Sequence, residues 1–275
     1  MNAMLEGQLA LVTGGGSGIG KATALALAAA GARVVITGRR QSVLDEVAEQ
    51  IRANGGQAWG RTADLEDRDS LLSLVSWVES SLGRVDILIN NAGSTSAVRN
   101  IRWIDPLAWD STFAVNLTAV YTLVQAVLPG MLAAGGGTLI TVSSLAAVRP
   151  NLLGGAPYGA AKAGVRNLMG YLHATFRNDN IRATTILPGE VSTPIMDTRV
   201  RPPSAQERER MVAAEDVAQA IVLCCCLPAR TTVEELIISP TLQRDQGPDI
   251  EISRWQGAPA GTPGAPVQPA QEKHS

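Results

Sequence analysis

Tyr158 and Lys162 stand four residues apart in the run Tyr158-Gly159-Ala160-Ala161-Lys162. On a helix that spacing sets a phenol and an ammonium one turn apart on the same face. A phenol with a pKa of about 10 exchanges protons poorly at neutral pH, and a cation within a few ångströms favours its ionised form. Such a pair suits proton transfer to a carbonyl oxygen that is taking up hydride, because the developing alkoxide needs a donor. Upstream, the apolar run ITV ends in Ser143-Ser144, at the carboxyl edge of a candidate strand, where open α/β sheets gather ligands. A serine there can hydrogen-bond the same oxygen. Taken without its surroundings, the Tyr-Lys spacing also reads as a surface aromatic lying over a lysine stem.

A second cluster handles phosphate. Thr13-Gly14-Gly15-Gly16-Ser17-Gly18-Ile19-Gly20 follows a β-rich run and opens the alanine-rich stretch KATALALAAAG. Glycines permit the tight turn and let the backbone approach a pyrophosphate, which sits at the helix amino terminus. Strand before and helix after are the context this motif requires, so the turn reads as dinucleotide-binding. An NAD site usually places an acid some twenty residues further on, at the end of the second strand. Here that strand ends in Thr37-Gly38-Arg39-Arg40, and the next acid is Asp45. Arg39 can pair with a 2′-phosphate, which makes NADP(H) the expected cofactor and NAD(H) the alternative.

These groups need a scaffold. Short β-rich runs at 9–12, 33–37, 58–62, 87–89, 138–142, 183–187 and 235–238 alternate with helix-length stretches at 18–30, 41–54, 68–82, 106–134, 158–178 and 215–227. Runs such as VDILIN and RVVITG are almost continuously apolar, as strands buried on both faces of a parallel sheet are. Repeated βα units predict an α/β protein: one doubly wound parallel sheet flanked by helices in a single domain spanning 1–243. Residues 244–275 form a Pro/Gly-rich tail. Seven of the thirteen residues from Gly257 to Pro269 are Gly or Pro, a composition that leaves too little apolar surface to offset ordering. The stretch 257–275 is expected to be disordered or draped over a surface, with 250–255 docking first. A chain ending near Thr241 is expected to keep fold and activity.

The composition excludes several classes. With 45% hydrophobic and 17% charged residues, the chain can build a core. A net charge of −2 without a basic stripe argues against nucleic acid. No uninterrupted apolar run reaches membrane-span length, and the amino terminus lacks a secretory pattern, so a cytoplasmic location and no membrane partner are expected. Cys224, Cys225 and Cys226 are consecutive, with no ligand-spaced histidine, and read as packing residues of a buried helix rather than a metal site.

Together these motifs resemble the short-chain dehydrogenase/reductase family over roughly residues 5–240. TGGGSGIG has the family's TGxxxGxG form, Asn90-Asn91-Ala92-Gly93 matches its NNAG motif, and Asn116 in FAVNLTAVY matches its helix asparagine. Ser144, Tyr158 and Lys162 match the remaining catalytic positions. The resemblance implies a Rossmann-type fold with Tyr158 as general acid or base, and Lys162 lowering its pKa and binding the nicotinamide ribose. Ser144 would position the carbonyl, and Asn116 would hold a water in a proton relay. It further implies cofactor contacts from Gly14, Gly16, Ser17, Gly18, Ile19, Gly20, Asn91, Ala92 and Gly93. Asp64 would bind the adenine, and Pro188, Gly189, Val191 and Thr193 the carboxamide end. The spacing departs from the pattern: Tyr158 lies fourteen positions after Ser144, one more than is usual. Ser143 is the fallback, though it lies further still.

What the resemblance implies is an NADP(H)-dependent oxidoreductase interconverting a small-molecule carbonyl and a secondary alcohol, working as a reductase of a 3-oxoacyl thioester or a ketone. It also implies a homotetramer or homodimer built on the two long helices. The alternatives are an NAD-dependent alcohol dehydrogenase and a non-catalytic dinucleotide sensor, which would need no proton donor. A dehydratase or epimerase would carry a TGxxGxxG turn and a longer substrate domain. His173 and the tryptophans Trp59, Trp77, Trp103 and Trp109 read as packing residues. Arg149, Arg199 and Arg201 fall in loops that border the substrate pocket in this family, as either anion ligands or solvated charges. The segment 197–211 reads as a mobile lid, with Pro202-Pro203 as a non-helical joint before a charged helix.

Overall fold

The computed structural model describes residues 4–199 and 201–266. Its first half alternates strands and helices: β1 (Leu9–Thr13), α1 (Gly18–Ala29), β2 (Arg33–Gly38), α2 (Gln41–Ala53), β3 (Gln57–Thr62), α3 (Arg68–Leu82) and β4 (Ile87–Asn90). Then come α4 (Pro106–Phe113), α5 (Ala119–Ala133), β5 (Gly137–Val142), α6 (Ala156–Phe176) and β6 (Ile181–Pro188). A two-stranded ribbon pairs β7 (Val191–Ser192) with β8 (Val212–Ala213) around the short α7 (Ala205–Arg208). The chain continues through α8 (Ala214–Cys226), β9 (Glu235–Ile238) and α9 (Gly247–Trp255).

Seven parallel strands form one sheet in the order β3-β2-β1-β4-β5-β6-β9. Side chains alternate across each buried strand and so divide between two cores. Ala10 and Val12 of β1, with Ile87 and Ile89 of β4, pack with α1, α2 and α8. Leu9, Leu11 and Leu88 pack with α3, α5 and α6. This is the doubly wound α/β sheet expected from the sequence. The strand order reverses between β1 and β4, and a ligand crevice forms there, outside the carboxyl ends of the strands.

The expected single helix 106–134 is interrupted. A wider π turn at Ala114–Thr118 joins α4 to α5 and carries Asn116, which is fully buried. By length and composition the stretch Pro106–Ala133 could cross a membrane. Its apolar residues Val120, Leu123, Val127 and Met131 belong to the core instead.

The cysteines close α8. Cys224 and Cys225 are buried, and burial pushes the Cys225 thiol up to about 12, far from the reactive range. Arg182 of β6 donates to the carbonyls of Cys224, Cys225 and Leu227, capping groups that a helix end would leave unpaired.

The tail does more than its composition suggests. Arg244 and Asp249 are buried, and Trp255 on α9 lies 6.2 Å from the Trp103 ring. A chain ending near Thr241, expected to keep fold and activity, would lose residues that are packed into the fold. The part of the expected disorder that falls on 267–275 lies outside the described residues.

Candidate active site

The carboxyl ends of β1, β2, β4, β5 and β6 open onto a groove of about 410 Å³. Gly14 turns the chain there with φ +66°. Gly20 sits so close behind it that a Cβ would lie 2.2 Å from the Gly14 carbonyl oxygen. Only glycine fits. The first turn of α1 carries no acid, and Ser17 makes no side-chain cap, which leaves the helix N–H groups free for an anion. Asn91 ties the two strand ends together by donating Nδ2 to the Thr13 carbonyl at 2.9 Å. The Thr13 hydroxyl accepts from the N–H groups of Asn91 and Ala92, both at 3.0 Å.

Gly14, Gly16, Ser17, Gly18, Ile19, Arg39, Asp64, Asn91, Ala92, Gly93, Pro188, Gly189, Val191 and Thr193 all line this groove, with Ser144, Tyr158 and Lys162. Two of the expected residues do not. Gly20 acts from behind through its close packing, and Asn116 lies under the floor. Arg39 is exposed, and no carboxylate pairs with it among the described residues.

Ser144, not Ser143, reaches the tyrosine. The Ser143 hydroxyl is buried and donates to the Lys162 carbonyl at 2.9 Å. Ser144 lines both the groove and the cavity with Tyr158, and its side chain acts on the phenol, so the loop 145–155 absorbs the extra residue. Asn116 donates Nδ2 to the carbonyls of Ser94 and Thr112, both at 2.8 Å, while its Oδ1 accepts from none of the described groups.

Lys162 Nζ donates to the Val142 carbonyl at 2.8 Å and lies 5.6 Å from the centre of the Tyr158 ring. Burial takes its ammonium down to about 8. Burial also raises the Tyr158 hydroxyl above its ordinary value, and what opposes this is the Ser144 hydrogen bond and the charges of Arg99 and Arg199. Lys162 meets the tyrosine at its ring and is not among the groups that oppose the effect of burial on the hydroxyl. The cations acting on the hydroxyl come from two loops, while the lysine charge is held by a carbonyl.

Beyond Tyr158 a second cavity of about 320 Å³ shares Ser144, Pro188, Gly189, Ile195 and Met196 with the groove. Of the three arginines singled out in the sequence, Arg149 and Arg199 line it and Arg201 does not. Arg201 instead donates to Glu207 at 2.7 Å and to Asp249 at 2.6 Å. Ser204 caps α7 in a reciprocal box with Glu207, whose carboxyl the Arg201 bond pulls down to about 2. Burial alone would raise the Glu190 carboxyl, but hydrogen bonds from Arg244, Arg199 and Gln246 outweigh it and hold the group below the usual carboxylate range. Sequence reading missed Arg99, Glu190, Gln243 and Gln246, which no short motif marks. His173 lies on α6 with Glu234 at 3.4 Å and does not line either cavity.

Residues 8–203 match the family described as short chain dehydrogenase. The 7alpha-hydroxysteroid dehydrogenase of Escherichia coli (strain K12) is 32% identical over 246 residues, covering 86% of this chain and 94% of that protein. A metagenomic short-chain oxidoreductase solved in complex with NADP aligns with a TM-score of 0.76 at 34% identity, covering 87% of this chain and all of that one (100%). A 7 alpha-hydroxysteroid dehydrogenase solved with NADH and 7-oxo glycochenodeoxycholic acid aligns with a TM-score of 0.80 at 28% identity, covering 89% and 97%.

Proposed function

The chain belongs to the short-chain dehydrogenase family and is an oxidoreductase of CH–OH groups, and from that premise we propose that it uses NADP(H) to reduce a carbonyl to a secondary alcohol. The observation that carries this reading is that Tyr158 and Ser144 together line both the groove and the cavity. A sensor would have no use for that pair.

The groove fits a dinucleotide. The glycine turn and the free N–H groups of α1 would hold the pyrophosphate, Asp64 would face the adenine, and the exposed Arg39 would take a 2′-phosphate. Pro188, Gly189, Val191 and Thr193 would border the nicotinamide, and Lys162 would hold its ribose. When bound, the nicotinamide supplies the hydride. Ser144 would orient the substrate carbonyl, and Tyr158 would give its proton to the oxygen as charge develops there. A hydroxyl held protonated by burial suits that direction. The unpartnered Asn116 Oδ1 supports a role in returning the proton to Tyr158. A ketone or a 3-oxoacyl thioester is the substrate class this chemistry admits. Exposed Leu107, Tyr121 and Tyr171 on α4, α5 and α6 support assembly as a homodimer or homotetramer through those helices.

Two measurements test the reading. Arg39→Ala should weaken NADPH binding by about 10- to 100-fold, the worth of one charge-assisted contact, and NADH binding far less. Fluorescence titration of both cofactors at one salt concentration decides it. Equal losses would remove the phosphate assignment, and tighter NADH binding by the wild type would favour NAD-dependent alcohol oxidation. The second is a pH profile. Since kcat/KM for NADPH reports the free enzyme, it should be level through neutral pH and fall as pH rises through about 8, where the Lys162 ammonium is lost. A profile that climbed through that range would contradict the role given to Lys162.

A further inference from the structure

Three arginines, Arg99, Arg149 and Arg199, line the cavity beyond Tyr158, against a single acid, Glu190. Glu190 is already engaged, accepting from Arg199 at 2.6 Å and from Arg244 at 2.7 and 2.9 Å. Behind it Arg199, Arg201 and Arg244 face Glu190, Glu207 and Asp249, so that network balances its own charge. Arg99 and Arg149 are left over. Neither has a carboxylate partner among the described residues.

The two differ in what holds them. Arg149 is exposed, and on its own it would be a solvated loop charge. Arg99 is half-buried and anchored, its Nη1 donating to the carbonyls of Leu153 and Gly154. Nε and Nη2 have no protein partner among the described residues. Burial and then the neighbouring Arg199 act against its charge, and Tyr158 and Asp249 offset them only in part, so an anion reaching its Nε and Nη2 would be favoured. Arg99 and Arg199 line the same cavity as Tyr158, and their charges act on its hydroxyl.

We propose that this cavity takes a substrate carrying a carboxylate, gripped by Arg99 with Arg149 at the mouth, while its carbonyl rests on Tyr158 and Ser144. A planar guanidinium fork matches a carboxylate in two parallel hydrogen bonds. The proposal rests on the reductase reading only for the carbonyl end, since the anion site can be tested without turnover.

The test uses the full chain loaded with NADP(H) and pairs each of several cyclic and acyclic oxo acids with its primary amide. The amide keeps the shape and removes the charge. With NADPH, kcat/KM for the best acid should exceed that for its amide by about 10- to 100-fold. With NADP, the matching hydroxy acid should bind more tightly than its amide by a similar factor in calorimetry. Arg149→Gln, at an exposed position where folding is not at stake, should reduce both ratios several-fold. Arg99→Gln should bring them close to one, and Arg177→Gln, at an exposed position on another face, should leave them unchanged. Turnover of neutral ketones with no preference for acids would overturn the proposal and leave the reductase reading standing. Acid-selective binding that depends on Arg99, without turnover of any ketone, would uphold the anion site and remove the reductase reading. Wild-type ratios near one, or ratios that survive both arginine changes, would sink the carboxylate assignment.

Discussion

Tyr158→Phe should lower turnover by at least about a thousandfold, while NADPH affinity stays within a few-fold of the wild type. The change removes one oxygen. Tyr158 sits beside Ser144 where groove and cavity meet, so its hydroxyl contributes to chemistry and little to holding a dinucleotide. General acid catalysis by one placed group is worth roughly 10² to 10⁴ in rate, and a thousandfold is about 4 kcal/mol of barrier. Burial keeps the hydroxyl protonated at neutral pH in the free protein, against the pull of Arg99 and Arg199. The donor is therefore loaded before the substrate arrives. Stopped-flow turnover with NADPH, beside fluorescence titration of the cofactor, separates the two quantities. Cofactor binding that collapsed together with turnover would mean the phenol holds the groove open and gives no proton.

Why Tyr158 was legible in the sequence and its surroundings were not is a matter of range. The strands were readable because a parallel strand buried on both faces must be an almost unbroken apolar run, as in β1 and β4. The glycine turn was readable because the close approach of Gly20 to Gly14 admits no other residue. Tyr158 and Lys162 share one helix, so their spacing fixes their common face. That spacing did not say where the ammonium would point, and it turned to the Val142 carbonyl. The cations that act on the phenol come instead from Arg99 and Arg199, in loops after β4 and β7, which no local period connects to α6. The π turn at Asn116 was equally hidden, because its wider hydrogen bonding departs from the period that predicts one continuous helix through 106–134.

The same long range governs the carboxyl-terminal segment, and cutting the chain after Thr241 should do more than shorten it. The cut removes Arg244, whose side chain is only 3% exposed, together with Gln246, Asp249 and the whole of α9. Glu190 would keep Arg199 alone, having lost two hydrogen bonds from Arg244 and one from Gln246. Arg201 would lose Asp249 and keep Glu207. No charge is left unpaired, but losing the charge-assisted hydrogen bonds to the partly buried Glu190, at about 1.5–3 kcal/mol each, costs about 3–5 kcal/mol. For a chain of this size that corresponds to a fall in Tm of roughly 6 to 20 °C. The lost contacts join the 199–208 segment to Glu190 at the rim of the substrate cavity, so KM for the carbonyl substrate should rise in the truncated chain. Substitutions separate charge from bulk. The double variant of Arg244→Met and Glu190→Gln should be more stable than the sum of the two single effects predicts, because the two side chains are direct partners. Scanning calorimetry on the two single variants and the double variant gives the coupling. A truncated chain as stable as the full one, with an unchanged KM, would show that Arg244 and α9 lie on the domain without supporting it.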